Sequence, residues 1–184
     1  MIISKKGLLL EFLQAGYEQM MAHFEEITLE EALFVPQGGY RSVIGTLKHA
    51  AGWSHVYYSY AFEAEPRHWA GTSWPFGLQD RIIKSEAYLN AVIEWFKEAH
   101  EKWIAALQKI EDGETEVLHK LHWGEEAPLF KIVTIIAQHH VYHAGELNQL
   151  LSICRGEAWE EGEEVEENHI STIGHRVLPP WKDG

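Results

Sequence analysis

One long helical pattern near the C-terminal end constrains this chain most. Pro128 stands where a helix begins and Gly156 where one ends. Proline suits a first turn, whose amide is unpaired anyway, and glycine reaches the left-handed conformation of a C-terminal cap. Between them Leu129, Val133, Ile136, Leu147, Leu150 and Cys154 recur at helical period and draw one apolar stripe. His140 and His143 fall on that stripe, and His139 lies at its edge. A helix of this length with one apolar face has to cover that face with other helices.

Three further segments offer such cover. The first runs from about Lys5 to Phe24, with Leu9, Phe12, Leu13, Gly16 and Met20 on one face. The second starts at Ser42, a plausible N-cap, and reaches about Phe62, with a stripe of His49, Trp53, Val56, Tyr57 and Tyr60. The third spans about Ile82 to Ile110, with Leu89, Val92, Ile93, Phe96, His100, Trp103 and Leu107 on its face, and ends at Asp112-Gly113. Thr28 followed by Glu31 predicts a short capped helix, and Pro36-Gln37-Gly38-Gly39 a break after it. Trp69, Trp74 and Phe76, between Pro66 and Gly77, suggest a packed irregular connection, while Val117 to Trp123 fits strand or loop equally. The pattern predicts an all-α four-helix bundle with short extra helices. Residues 1–156 form the bundle domain on this reading, and 157–184 an irregular acidic tail.

Charge excludes one class of function. The formal net charge is -13, and phosphate contacts need clustered Lys and Arg, so no nucleic-acid partner is expected. Residues 156–184 hold eight acids against two bases, a net of -6. The run from Glu160 to Glu167 reads as a solvated loop and Glu157 to Glu167 as poorly ordered, with Val177, Leu178 and Trp181 able to dock again beyond it. No stretch reaches the roughly 18 to 20 unbroken apolar residues of a membrane span. The start Met1-Ile2-Ile3-Ser4-Lys5-Lys6 lacks the order of a secretory signal, and the single Cys154 permits no intrachain disulfide. A cytoplasmic protein without a membrane partner is the expectation. Aromatics beyond the bundle's needs, among them Trp69, Trp74 and Trp181, suggest an apolar patch and a homodimer.

The chemistry-bearing feature is histidine, of which there are twelve. His139 and His143 stand four apart, which in a helix puts both imidazoles on one face, one turn apart. Two nitrogens so placed can share a metal ion. Only His49 combines an inward position, a place on a different long helix and a strong histidine context, and it would complete a set of three. Three protein ligands leave a coordination position open, the catalytic rather than the structural arrangement. Chance alone produces such pairs in a histidine-rich chain, where they serve as core-edge residues satisfied by hydrogen bonds. His140 and His143, three apart, are an alternative pair. Glu146 suits either a carboxylate that orients a ligand imidazole or a surface acid. His100 suits a hydrogen-bonded core histidine or a proton carrier, and Cys154 a small buried hydrophobe. Trp53 and Tyr57 read as core that could also line a pocket. His55 points away from the stripe, and His119, His122, His169 and His175 show no telling spacing.

The segment Ile136-Ala-Gln-His-His-Val-Tyr-His143-Ala-Gly-Glu-Leu147 resembles the last helix of the DinB-like superfamily. That family's pattern sets two histidines four apart, then Gly-Gln or Gly-Glu and an apolar residue. Those positions here are His139, His143, Gly145, Glu146 and Leu147. The segment from Ser42 to His49 is similar to the family's second helix, where a histidine follows a short apolar stretch. The resemblance spans about Leu8 to Gly156 and leaves the acidic tail outside. It implies a four-helix bundle holding one metal ion on His49, His139 and His143. Known members include thiol-dependent transferases and isomerases that use bacillithiol or mycothiol, and many members have no assigned activity. The family name does not imply DNA binding.

Three neutral imidazoles leave an ion its full charge, so its open position favours an anionic ligand; a thiolate is a good one for zinc or nickel. The resemblance thus implies a metal-dependent thiol S-transferase with a low-molecular-weight thiol cosubstrate and a small-molecule substrate. Water-activating hydrolysis and a non-catalytic, stress-related metal protein are the alternatives. Access is expected from the bundle end where the second helix starts, with Pro36 to Arg41 shaping entry and Arg41 able to meet a cosubstrate carboxylate.

Overall fold

A computed structural model describes residues 4–67 and 81–156. Polar caps set most helix starts. Ser4 accepts from the Gly7 amide ahead of α1, Lys5–Met21. Thr28 and Glu31 form a reciprocal capping box on α2, Leu29–Leu33. Ser42 and Ser85 cap α3, Val43–Phe62, and α4, Glu86–Lys109. A 3-10 turn, Asp112–Glu116, leads into a small antiparallel hairpin of β1, Leu118–Lys120, and β2, Glu126–Pro128. The last helix, α5, is Leu129–Arg155, and Gly156 ends it at φ 68° as a left-handed cap. Pro128 is the residue just before this helix rather than in its first turn.

The four long helices pack in a ring: α1 lies against α4 and α5, and α3 against the same two. Two buried apolar clusters reveal their directions. One joins Met20 and Phe24 to the start of α3 (Val43, Ile44, Leu47), the start of α4 (Tyr88, Leu89, Val92) and the end of α5 (Leu147, Leu150, Leu151). The other joins Leu9 and Leu13 to Ala61, to Trp103 and Leu107, and to Leu129, Ile132, Val133 and Ile136. Helices α1 and α5 therefore run one way and α3 and α4 the other. The end of α3 and the start of α4 lie at opposite ends of the bundle.

The observed core departs from the sequence stripes at particular residues. Phe12 is 48% exposed instead of buried. Along α3 the buried residues include Val43, Ile44, Leu47, Ala50, Ala51, Ser54 and Val56, while His49, Trp53, Tyr57 and Tyr60 are half-buried. Small side chains let α3 approach two neighbours, and the bulky rings are left to the flanks where there is room. Cys154 is half-buried, in the last turn of α5. The Val117–Trp123 ambiguity resolves into β1 and a turn, with Gly124 at φ 95°. No helix among the described residues is long and apolar enough to cross a membrane. Trp69, Trp74, Phe76 and Trp181, the acidic run and its re-docking segment lie outside the described residues, and with them the expectations they carry about packing, dimerisation and order.

Gly16 lets α1 and α5 approach closely: a Cβ there would stand 3.1 Å from both the Ala137 carbonyl oxygen and the His140 Cβ. We expect Gly16→Leu to destabilise the fold by about 1–3 kcal/mol, the usual cost of overpacking. Urea unfolding read by circular dichroism will check this; an unchanged midpoint would refute the close contact.

Candidate metal centre

The candidate ligands come from the outward seam of α3 and α5. His49 lies in the second turn of α3, and His139 and His143 lie one turn apart on α5. His143 is buried and the other two are half-buried. The Nε2 of His139 is 3.3 Å from that of His49 and 3.0 Å from that of His143. One ligand atom from each residue lies within 4.8 Å of the other two. Nitrogens about 2.0–2.1 Å from a tetrahedral ion stand about 3.3 Å apart, close to the two spacings at His139.

Proton placement makes the same point. Glu146, one turn on from His143, takes the Nδ1 hydrogen of that ring at 2.6 Å. With its proton on Nδ1, His143 turns a bare lone pair at Nε2 toward His139. His139 Nε2 then faces two ring nitrogens and has at most one hydrogen to share between them. A cation satisfies three converging lone pairs where a single proton cannot. Of the two roles open to Glu146, the structure selects the carboxylate that orients an imidazole; its other oxygen accepts a long hydrogen bond, 3.5 Å, from Thr46.

Burial and charge keep the rings neutral. His49 is pushed down to about 3, first by burial and then by Arg41 and the two other rings. His139 is pushed down to about 4 by burial, the His143 ring and Arg41. Burial also lowers His143, while Glu146 opposes it by favouring the charged form. Arg41, just before the α3 cap, thus projects positive potential on all three.

The other histidines have separate places. His140 is buried and bonds Ser54, so the alternative pair of His140 and His143 is not brought together. His100 bonds Gln14 and stacks on Tyr17, within the bundle rather than in the three-histidine group. His55 reaches the Trp95 carbonyl at 3.0 Å, facing α4. His122, which no spacing singles out, sits at the hairpin turn among Trp53, Tyr57 and Tyr60. Only the fold could place it beside α3. Trp53 lies edge-on to His49 at 6.4 Å between ring centres, on the side of the candidate site. His169 and His175 lie outside the described residues.

The unfolded chain protonates these imidazoles near 6.5, whereas the folded chain holds His49, His139, His140, His100 and His23 down to about 3 or 4. The unfolded state therefore binds more protons in the window between, and acid favours it. Stability of the metal-free protein should be full above about pH 6.5 and fall steadily as pH drops toward 4. Thermal midpoints across that range will test it; a flat profile would contradict neutral buried rings.

The comparisons bear on the family and the fold. The family model described as DinB superfamily matches residues 13–147, a span that contains His49, His139, His143 and Glu146. No curated protein and no solved structure matches the chain. A match over most of the chain, together with the helical bundle and its histidine group, shows that this protein belongs to the DinB superfamily.

Proposed function

We propose that this chain is a metal-dependent enzyme in which His49, His139 and His143 hold one divalent ion, zinc or nickel, and a low-molecular-weight thiol serves as cosubstrate. The observation that carries the reading is the convergence of three Nε2 atoms, with His143 held in the metal-ready tautomer by Glu146. A divalent ion with an open position lowers the pKa of a bound thiol and stabilises the thiolate as nucleophile. The remaining work falls to the chain. The rings, neutral to well below neutral pH, need lose no proton before they bind a cation. Arg41 supplies positive potential at the entrance and is suited to a carboxylate of an anionic thiol. Trp53 offers an aromatic edge beside His49 for the apolar part of an electrophile.

Replacing His49, His139 or His143 by Ala should remove most bound metal with the helical circular dichroism retained, while His55→Ala, which faces α4, should keep it. Glu146→Gln should weaken metal affinity by about tenfold to a hundredfold, the usual effect of losing the partner that orients a ligand histidine. Metal analysis of untagged protein and a competition titration decide both; full metal content in His143→Ala would end the reading.

The chemistry is tested with cobalt. Addition of cysteine, glutathione or a bacillithiol-type thiol should shift the cobalt absorption, and thiol should be consumed with an electrophile in the wild type only, not in His143→Ala. Unchanged spectra with every thiol would remove the transferase assignment. Turnover of activated esters would then favour a hydrolase, and its absence a non-catalytic metal protein.

A further inference from the structure

The bundle carries two polar pairs that the metal reading leaves unused, one buried and one part-buried. Ser54 of α3 and His140 of α5 are 0% and 1% exposed, and Ser54 Oγ lies 2.8 Å from His140 Nε2. Gln14 of α1 and His100 of α4 form the second pair, at 3.0 Å. The pairs differ in what they join. Ser54–His140 ties together the two helices that carry candidate ligands, and Gln14–His100 ties together the two that carry none. His140 adjoins His139 and stands three residues before His143, while Ser54 follows His49 by five.

We propose that the Ser54–His140 hydrogen bond is a register pin: it sets how α5 sits along and around α3, and so brings His139 and His143 to His49. This inference rests on the proposed metal site. A slip of α5 by one residue moves it about 1.5 Å along the axis and turns it about 100°. Leu, Ile and Val contacts are non-directional and resist small shifts weakly. A buried hydrogen bond does not tolerate them, because geometry decides it and the orphaned groups are costly in the interior.

Ser54 is itself held firmly. Its hydroxyl donates to the Ala50 carbonyl at 2.9 Å, so His140 Nε2–H donates to the Ser54 oxygen. The Ser54 carbonyl accepts from Trp103 Nε1 at 3.1 Å, which ties the same residue to α4. His140 is confined from the other side by the close approach of Gly16 and by the edge of Phe96, 5.0 Å between ring centres.

The test is a cobalt titration with chelator competition, read together with the thermal midpoint of the metal-free protein. Ser54→Ala should weaken cobalt binding by at least about tenfold and change its absorption spectrum. The double variant Ser54→Ala/His140→Leu removes both polar groups and leaves none orphaned, so its thermal midpoint should return toward wild type. Its cobalt affinity should nevertheless stay low. His140→Gln, whose amide can still meet Ser54 Oγ, should recover much of the affinity. Gln14→Ala should lower the thermal midpoint with cobalt affinity and spectrum unchanged. A double variant with wild-type affinity and spectrum would overturn the pin, as would a Gln14→Ala that weakens cobalt as much as Ser54→Ala does. A wild-type protein that gives no cobalt spectrum would sink the metal site and the pin together, whereas a wild type that binds alongside equally binding pin variants sinks the pin alone.

Discussion

Helix α5 is held from two sides, and the direction of each of its side chains follows from that. On one side Gly16 admits the backbone of Ala137 and the Cβ of His140 close to α1. On the other, α3 approaches with a buried row that includes Ala50, Ala51 and Ser54. Small residues at both contacts let the helices come near enough for a hydrogen bond to cross between them. With its inner face occupied by Ile136, His140 and Leu147, α5 must carry His139 at the margin. His143 lies beside His139 one turn on, buried at the same seam. The three-nitrogen cluster is a consequence of this packing.

A polar layer separates two apolar halves of the bundle. Leu9, Leu13, Ile132 and Ile136 lie on one side of it, and Met20, Leu47, Leu147 and Leu151 on the other. In this layer the Nε2 of His140 meets Ser54 and that of His100 meets Gln14, while the Nδ1 of each ring is buried with no hydrogen-bond partner among the described residues. Desolvation keeps the imidazoles neutral, which suits both hydrogen bonding here and lone-pair donation at the seam. One physical effect thus serves two kinds of histidine.

Charge around the seam is graded rather than uniform. Arg41 disfavours protonation of the three rings, and Glu146 favours it at His143 alone. A cation in place of the protons would be drawn by Glu146 through that ring, and an anionic ligand by Arg41. Among the described residues the candidate group contains three imidazoles.

Much of this was legible in the sequence, for reasons that are local. Ser42, the Thr28 and Glu31 pair, and Gly156 act within one turn of their own positions, so helix limits could be read directly from them. The four-residue spacing of His139 and His143 is likewise a property of any helix. The inward face of α3 was misjudged, because periodicity marks several rows on an apolar helix and only neighbours decide which row is innermost. Aromatic bulk pointed to Trp53, Tyr57 and Tyr60, whereas close packing selected Ala50, Ala51 and Ser54. The sequence alone therefore determined that four long helices form, and it marked the caps at Thr28, Ser42 and Gly156 and the spacing of His139 and His143; it missed the cap at Ser85, so the third helix starts at Glu86 and not at Ile82. Only the tertiary structure decided that α3 and α4 run parallel, that His140 turns to Ser54 and not to a metal, and that His122 meets Trp53. Each of these depends on contacts between residues far apart in the chain, which no local spacing encodes.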